Sequence, residues 1–530
     1  MGASQSAEEG NARRDWWRLG DAGVLLSYTL VVLWTIRYHE KWADEAQAWL
    51  IARDLDLRSI WFHELRYEGS PGLWHTILWV AQHVFHAGYG AIGYIALAFA
   101  ITGVAVLLFL APFPRIVRWP LVFTYFFVYQ YAVIARPYTL MALLAFLAAI
   151  FFKDSKRPDR ITIVLILLAN LSLHGTILAG CLGIAYLWQG MKLWSVLEKP
   201  VRRRYAGCVV ALSVVFVFLV AILKPTTDVE EFAMKKEVAQ ISETLHVQQP
   251  TPQMKLLAVV SGAFLDYTVL SVTFLLLACA WCAMRRRLLL FAAPVGLLIA
   301  LYVAVHGYAH HHGTVFIAAI TALWIAWPSE EQELTPREKR ATRALVAALI
   351  CLCAIQVWDS AVVIRHEYLY PYSGAGDAAE YLRSVGADRG PVFGYLYGIV
   401  GVQAYFDRNI LGNMPTTYFH HGMPLYGTKI DLGEVARVAP PFVVIFSEQP
   451  TLLMESGVLD DFLASGYAMV HFSDGYQFNK RTVYVRQAYL IFRRTNSEAA
   501  RWVGQPDHGT GIMESGEDRS KRDGEPGEER

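Results

Sequence analysis

The sequence predicts a mainly α, polytopic membrane protein with about eleven transmembrane helices and a C-terminal extracytoplasmic α/β domain. Three observations predict it. The 530 residues are 55% hydrophobic and only 18% charged, whereas soluble domains are usually about a quarter charged. Apolar runs long enough to cross a hydrocarbon core of ~30 Å recur at 93–110, 206–223, 256–283, 288–305 and 344–364. Beyond residue 365 the pattern changes to short strand-like and helical segments in alternation. The length of the apolar runs excludes a large soluble enzyme with a rich core. A net charge of +1 excludes a global field aimed at nucleic acid, and no nucleic-acid partner is expected. The 16 tryptophans supply interfacial anchors.

Taken in order, residues 1–21 form a polar N-terminus without a cleavage signal, and the first apolar run reads as a retained span. The expected spans are 22–36, 93–110, 119–134, 138–152, 161–173, 176–191, 206–223, 256–283, 288–305, 313–327 and 344–364. Residues 37–72 form the first outer loop. The short apolar stretch 73–85 is read as a helix lying in the interface, because counting it as a crossing would flip every later loop. The basic clusters at Arg115 and Arg118, Lys153 through Arg160, Arg202–Arg204, Arg285–Arg287 and Arg337 through Arg343 then all fall on one side, the cytoplasmic side by the positive-inside rule. Residues 365–495 are left outside as an α/β domain. Helical segments are expected there at Asp377–Val385 and Leu459–Leu463. Strands are expected at Pro391–Leu396, Phe442–Phe446, Ala468–Phe472 and Thr482–Val485. Residues 496–530 have almost no apolar content and read as a disordered tail. The six cysteines all lie in apolar runs, so Cys279 and Cys282 read as buried thiols rather than a metal or redox pair.

With this topology the unusual polar residues gather at the outer face. The first outer loop carries Asp44 and Glu45 at the start of a short amphipathic helix with Trp42, Trp49 and Ile51, expected to lie at the membrane interface. Helix capping alone accounts for an acidic pair there. Adjacent carboxylates point roughly 100° apart on a helix, so at most one does chemistry. Glu68 precedes the turn Gly69-Ser70-Pro71-Gly72, which returns it to the membrane surface. Arg136-Pro137-Tyr138 closes the span 119–134, His174 sits at the outer end of 161–173, and His306 through His312 join two later spans. Intramembrane arginine is a functional candidate by default. Clustered His and Arg suit a phosphate or pyrophosphate held by directed N–H donors. Consecutive histidines in a tight turn diverge and no acid is close in sequence. A divalent metal is therefore not favoured, and no cofactor is expected.

The segments Asp44-Glu45-Ala46-Gln47-Ala48-Trp49, Glu68-Gly69-Ser70-Pro71-Gly72-Leu73-Trp74, Ala135-Arg136-Pro137-Tyr138-Thr139-Leu140 and His310-His311-His312-Gly313-Thr314-Val315-Phe316 resemble bacterial GT-C glycosyltransferases. These include relatives of the protein O-mannosyltransferases and of the lipid A aminoarabinose transferases. The resemblance covers roughly 20–365 and implies a GT-C-like catalytic domain over 22–364, in a bacterial inner membrane. It also implies transfer of a sugar from a polyprenyl-phosphate donor to a lipid, glycan or protein acceptor at the outer face, among membrane lipids. It marks Asp44 as the catalytic base. Glu45, Glu68, Arg136, Tyr138, His174, His306, His311 and His312 are expected to bind substrate. Ser70-Pro71-Gly72 departs from the His-Pro-Pro or Lys-Pro-Pro of relatives, which leaves donor and acceptor open. A glycosyl phosphate already carries a good leaving group, so one base and cationic donors would suffice for an inverting displacement. A transporter or flippase would instead place polar residues deep in several spans. A non-catalytic scaffold would leave the polar gathering as coincidence.

Overall fold

A computed structural model describes residues 2–68, 70–224, 251–305, 309–329, 331–419, 430–455 and 457–495. The expected disordered tail, 496–530, lies outside them. The membrane region begins with α1 (Gly2–Ile36), followed by α2 (Ala43–Asp54) and α3 (Leu73–His83) in the first loop. The succeeding apolar helices are α4 (Ala91–Leu110), the short α5 (Arg115–Leu121), α6 (Tyr138–Phe151), α7 (Pro158–Ala169), α8 (Leu173–Lys192) and α9 (Lys199–Leu223). Then come α10 (Pro252–Ala263), α11 (Thr268–Met284), α12 (Leu288–Ala304), α13 (His312–Ala326) and α14 (Pro336–Leu369). Among the described residues, α4, α9, α14 and the Arg18–Ile36 part of α1 are long and apolar enough to cross a membrane, and α10 with α11 forms a pair bent by 75°. That bend replaces the straight span expected over 256–283. Several others, such as α6 with 14 residues and α13 with 15, are shorter.

The segment expected as a span at 119–134 is not a continuous helix. It contains Pro120, a run of turns and a π-helical stretch at Phe126–Gln130. Proline removes an intrahelical donor, and Thr124, Tyr125, Tyr129 and Gln130 bring polar groups into the same stretch. Phe126 through Ala135 are all buried. Irregular backbone is tolerated at membrane depth where protein rather than lipid surrounds it.

The C-terminal region opens with α15 (Ala375–Ser384) and β1 (Val392–Tyr395), followed by α16 (Ile399–Gln403), α17 (Leu432–Val438) and β2 (Phe442–Ser447). It ends with α18 (Pro450–Glu455), α19 (Val458–Ala464), β3 (Tyr467–Ser473), β4 (Tyr476–Asn479), β5 (Thr482–Arg486) and β6 (Ala488–Arg494). One four-stranded sheet runs β1-β2-β6-β3, with β1 and β2 parallel and the other neighbours antiparallel. All six residues of β2 are buried, as a central strand with both faces covered requires. The expected strands and helices fall on β1, β2, β3, β5, α15 and α19.

The separate hairpin β4–β5 reaches into the membrane helices. At its tip Lys480, 5% exposed, donates to the Gly262 carbonyl and to Asp266 Oδ1, each at 2.7 Å, where α10 meets α11. Arg481 Nε donates to Asp359 of α14 at 2.5 Å. The helix α2 is likewise sandwiched rather than afloat. Ala43, Ala46, Leu50 and Ile51 share one apolar cluster with Val400 and Ala404 around α16. The amphipathic pattern of 42–51 therefore reflects burial against two protein surfaces, not a face laid on lipid.

Candidate active site

Asp44 sits in the first turn of α2, where burial of Ala43 and Glu45 on either side fixes its direction. Its Oδ2 pairs with Arg136 Nη1 at 2.6 Å, and its Oδ1 accepts from the Tyr397 hydroxyl at 2.9 Å. The Arg136 guanidinium lies over Trp42 and Tyr138, with ring centroids at 5.7 and 5.5 Å. Its Nη1 also approaches His310 Nε2 at 3.1 Å. An arginine can only donate, so this ring nitrogen accepts and His310 is neutral there. Burial, followed by the neighbouring His311 and Arg136, pushes His310 well below the ordinary histidine range. The Tyr131 hydroxyl fixes the turn by donating to the His310 carbonyl at 2.7 Å.

These groups line a cavity of about 340 Å³. Its walls include Trp42, Asp44, Tyr125, Gln130, Arg136, His310, His311 and Tyr372 from the membrane region, and Tyr397, Glu448, Gln477, Phe478 and Asn479 from the C-terminal region. One side is thus irregular backbone within the helices, and the other is the β4–β5 hairpin with the start of α16. Burial, followed by repulsion from Asp44, raises the Glu448 carboxyl above its ordinary range.

Of the residues expected from sequence, the structure brings Asp44, Arg136 and His311 to the cavity. Tyr138 is buried beneath Arg136 and packs against His174, His310 and His311 rather than lining the space. His174 stands behind it, with its ring centroid 5.0 Å from that of His311 and 5.3 Å from that of Tyr302. His312 opens α13, is 8% exposed and packs against Gly262. His306 lies outside the described residues. Glu45 and Glu68, also expected at the site, are not among the described residues lining this cavity. Glu68 Oε1 accepts from Gln47 Nε2 at 2.8 Å, and the same Gln47 clamps the Phe419 backbone through N–H and carbonyl contacts at 2.8 and 2.6 Å. It is a strut between the first loop and the C-terminal region.

Glu45, 1% exposed, turns away from Asp44 as the helical period dictates. Its Oε1 accepts from the Ala135 N–H at 2.8 Å, and its Oε2 meets His39 Nε2 at 3.0 Å. His39 Nδ1 reaches Glu367 Oε1 at 2.8 Å, and Glu367 accepts from the Tyr129 hydroxyl. Burial opposes charge on His39, but the Glu45 and Glu367 carboxylates outweigh it and raise the imidazole to about 10. Burial also opposes ionisation of Glu45; the His39 cation, its hydrogen bond and the Ala135 N–H nevertheless hold that carboxyl below its ordinary range. Glu45 therefore ties together the residue after Asp44 and the residue before Arg136, and so sets the spacing of the ion pair.

Sequence reasoning missed Tyr397, His310, Glu448 and the hairpin wall. His310 was visible within the histidine run. Tyr397 and Gln477–Asn479 carried no local signal, because only docking of the C-terminal region brings them to Asp44. Among the described residues, no group of three or more His, Cys, Asp or Glu side chains is placed to hold a metal.

No protein-family model matches the chain, and no curated protein matches it. Solved structures do. The crystal structure of ArnT from Cupriavidus metallidurans in the apo state superposes with a TM-score of 0.52 at 11% identity, covering 89% of this chain and 98% of that one. The structure of ArnT from the same organism bound to undecaprenyl phosphate gives a TM-score of 0.52 at 12% identity, covering 92% and 99%. At this identity the likeness is one of fold, and it spans nearly the full length of both chains. The mainly α membrane fold with a C-terminal α/β region expected from the sequence is the fold observed, and it is shared with these ArnT structures.

Proposed function

We propose that this protein is a membrane glycosyltransferase that moves a sugar from a polyprenyl-phosphate donor to an acceptor at the membrane face bearing the cavity. The observation that carries the reading is the Asp44–Arg136 pair, at 2.6 Å, inside a cavity walled by both regions of a fold shared with a protein solved with undecaprenyl phosphate. Asp44 takes the acceptor proton as the acceptor oxygen attacks the anomeric carbon. The bond from that carbon to the phosphate oxygen breaks, its electron pair stays on the phosphate, and Arg136 donates to the developing charge. A single displacement of this kind inverts the anomeric centre.

The resting geometry adds a coupling. Arg136 is engaged by Asp44 before substrate arrives, and an incoming phosphate competes for the same guanidinium. Donor binding would draw Arg136 off Asp44 and free that carboxylate oxygen for the acceptor, while Tyr397 holds the other oxygen. The basic clusters at Lys153 through Arg160, Arg285–Arg287 and Arg337 through Arg343 lie at helix ends remote from the cavity, which supports an extracytoplasmic site and a cytoplasmic N-terminus.

The test is sugar transfer from polyprenyl-phosphate sugars in membranes. Asp44→Asn should lower transfer by about 10²-fold or more, the typical contribution of a general base. A folded Asp44→Asn protein with full transfer would remove Asp44 from the mechanism. A reporter fused near Arg157 should report cytoplasm, and the opposite result would reverse the orientation.

A further inference from the structure

A second polar cavity, of about 260 Å³, lies at the opposite ends of the helices that carry the site. The helices α6 and α13 begin at Tyr138 and His312, next to the Asp44 cavity, and end at Phe151 and Ala326. By helical rise those ends are about 20 Å away. Lys153, Gln189, Arg285, Arg287, Trp327 and Gln332 line the space, drawn from the ends of α6, α8, α11 and α13 and the loop before α14. No carboxylate is among the described lining residues. Glu338 stands nearest, with its Oε1 3.5 Å from Arg285 Nη1.

One of the cations, Arg285, lacks a full set of partners. Arg285 donates to Gln332 Oε1 at 2.5 Å, yet its Nε is buried with no hydrogen-bond partner. Arg287 has a 3.5 Å approach to Gln189 Oε1. Burial, followed by the Arg287 charge, depresses Lys153, so the cluster is repulsive as it stands. Basic residues at the ends of α11 satisfy a helix dipole, but that does not require three cations to face one space. The surroundings mark the depth. Trp188 of α8 and Trp194 just past its end are 57% and 41% exposed, as interfacial tryptophans are, and buried Phe152, Ile325 and Ala326 supply an apolar wall.

We propose that this cavity binds the phosphodiester headgroup of an anionic membrane lipid in the leaflet opposite the candidate active site. The apolar wall packs against the glycerol end of the lipid, and Lys153, Arg285 and Arg287 receive the phosphate. The full chain in zwitterionic detergent tests this by titration with dioleoyl phosphatidylglycerol, dioleoyl phosphatidylcholine or inorganic phosphate, read by native mass spectrometry and thermal unfolding. Phosphatidylglycerol should bind and raise Tm, whereas phosphatidylcholine and inorganic phosphate should not. The Lys153→Gln, Arg287→Gln double variant spares the Arg285–Glu338 contact and should weaken phosphatidylglycerol by about 30-fold, at about fivefold per charge. Each single variant carries the same test at the smaller size. Equal binding of phosphatidylcholine, equal stabilisation by inorganic phosphate, or undiminished binding to the variants would each overturn the proposal.

Discussion

Replacing Lys480 with methionine should release the β4–β5 hairpin from the membrane helices. Lys480 is 5% exposed, and its ammonium donates to Gly262 O and Asp266 Oδ1 at 2.7 Å each. It also lies 5.6 and 5.3 Å from the Tyr125 and Phe126 ring centroids. Methionine keeps most of the aliphatic stem, so the loss is concentrated in two charge-assisted hydrogen bonds, each worth about 1.5–3 kcal/mol. The Asp266 side chain is 29% exposed and water re-solvates part of it after the change. The net cost is therefore about 2–4 kcal/mol, below the range for breaking a fully buried pair. That shifts the closed-to-open equilibrium of the hairpin by roughly 30- to 700-fold. Hydrogen–deuterium exchange of peptides covering 476–486, in nanodiscs, should accelerate by that factor while the central strand β2 keeps its protection. Asp266→Asn combined with Lys480→Met should cost less than the sum of the single changes. Unchanged exchange in the single variant, or strict additivity in the double, would refute the latch.

The remaining predictions concern the groups beneath the ion pair and at the edge of the first loop. Glu45→Gln leaves buried His39 with only Glu367, and should cost about 3 kcal/mol in thermal stability together with a fall in transfer. Adding His39→Gln should restore part of that stability, and a further loss would contradict the charge argument. Glu40 accepts from the Gly376 N–H at the start of α15; burial raises its carboxyl from 4.5 to about 7, partly opposed by the backbone N–H groups of Gly376 and Asp377. Its folded value lies above the ordinary one, so the stability contributed by protonated Glu40 is fully present below pH 4.5 and is lost as pH rises through about 7. Thermal unfolding of Glu40→Gln from about pH 5 to about pH 8 should therefore show a flatter profile than wild type, whereas parallel profiles would assign the titration to another group.

What could be read in the sequence follows from the range over which its signals act. Apolar length marks a helix residue by residue, so α4, α9 and α14 stand at the expected places. Short strand-like runs marked β1, β2 and β3 in the same way. Asp44, Arg136 and His311 were legible because charged or ionisable side chains are costly near lipid and therefore conspicuous. The stretch 119–134 was misread because apolar composition reports burial but not hydrogen bonding, and its irregular backbone is satisfied by neighbours distant in sequence. Tyr28 donates to Phe127 O at 2.8 Å and Ser360 to Phe123 O at 2.7 Å. Glu45 and Glu68 are not among the described residues lining the cavity, a placement that sequence alone does not distinguish. A carboxylate next to a site looks the same in sequence whether it faces the cavity or braces the wall, and its partners His39, Ala135 and Gln47 decide which.

The hairpin has a consequence for how the molecule comes into being. Residues 476–486 leave the ribosome after every membrane helix, from α1 through α14, has already been made. Until β4 and β5 seat Lys480 and Arg481 on Asp266 and Asp359, the space around Asp44 lacks one wall. A chain halted before the hairpin could insert its helices but could not enclose the space around Asp44, so completion of the cavity is reserved for a fully synthesised and docked polypeptide.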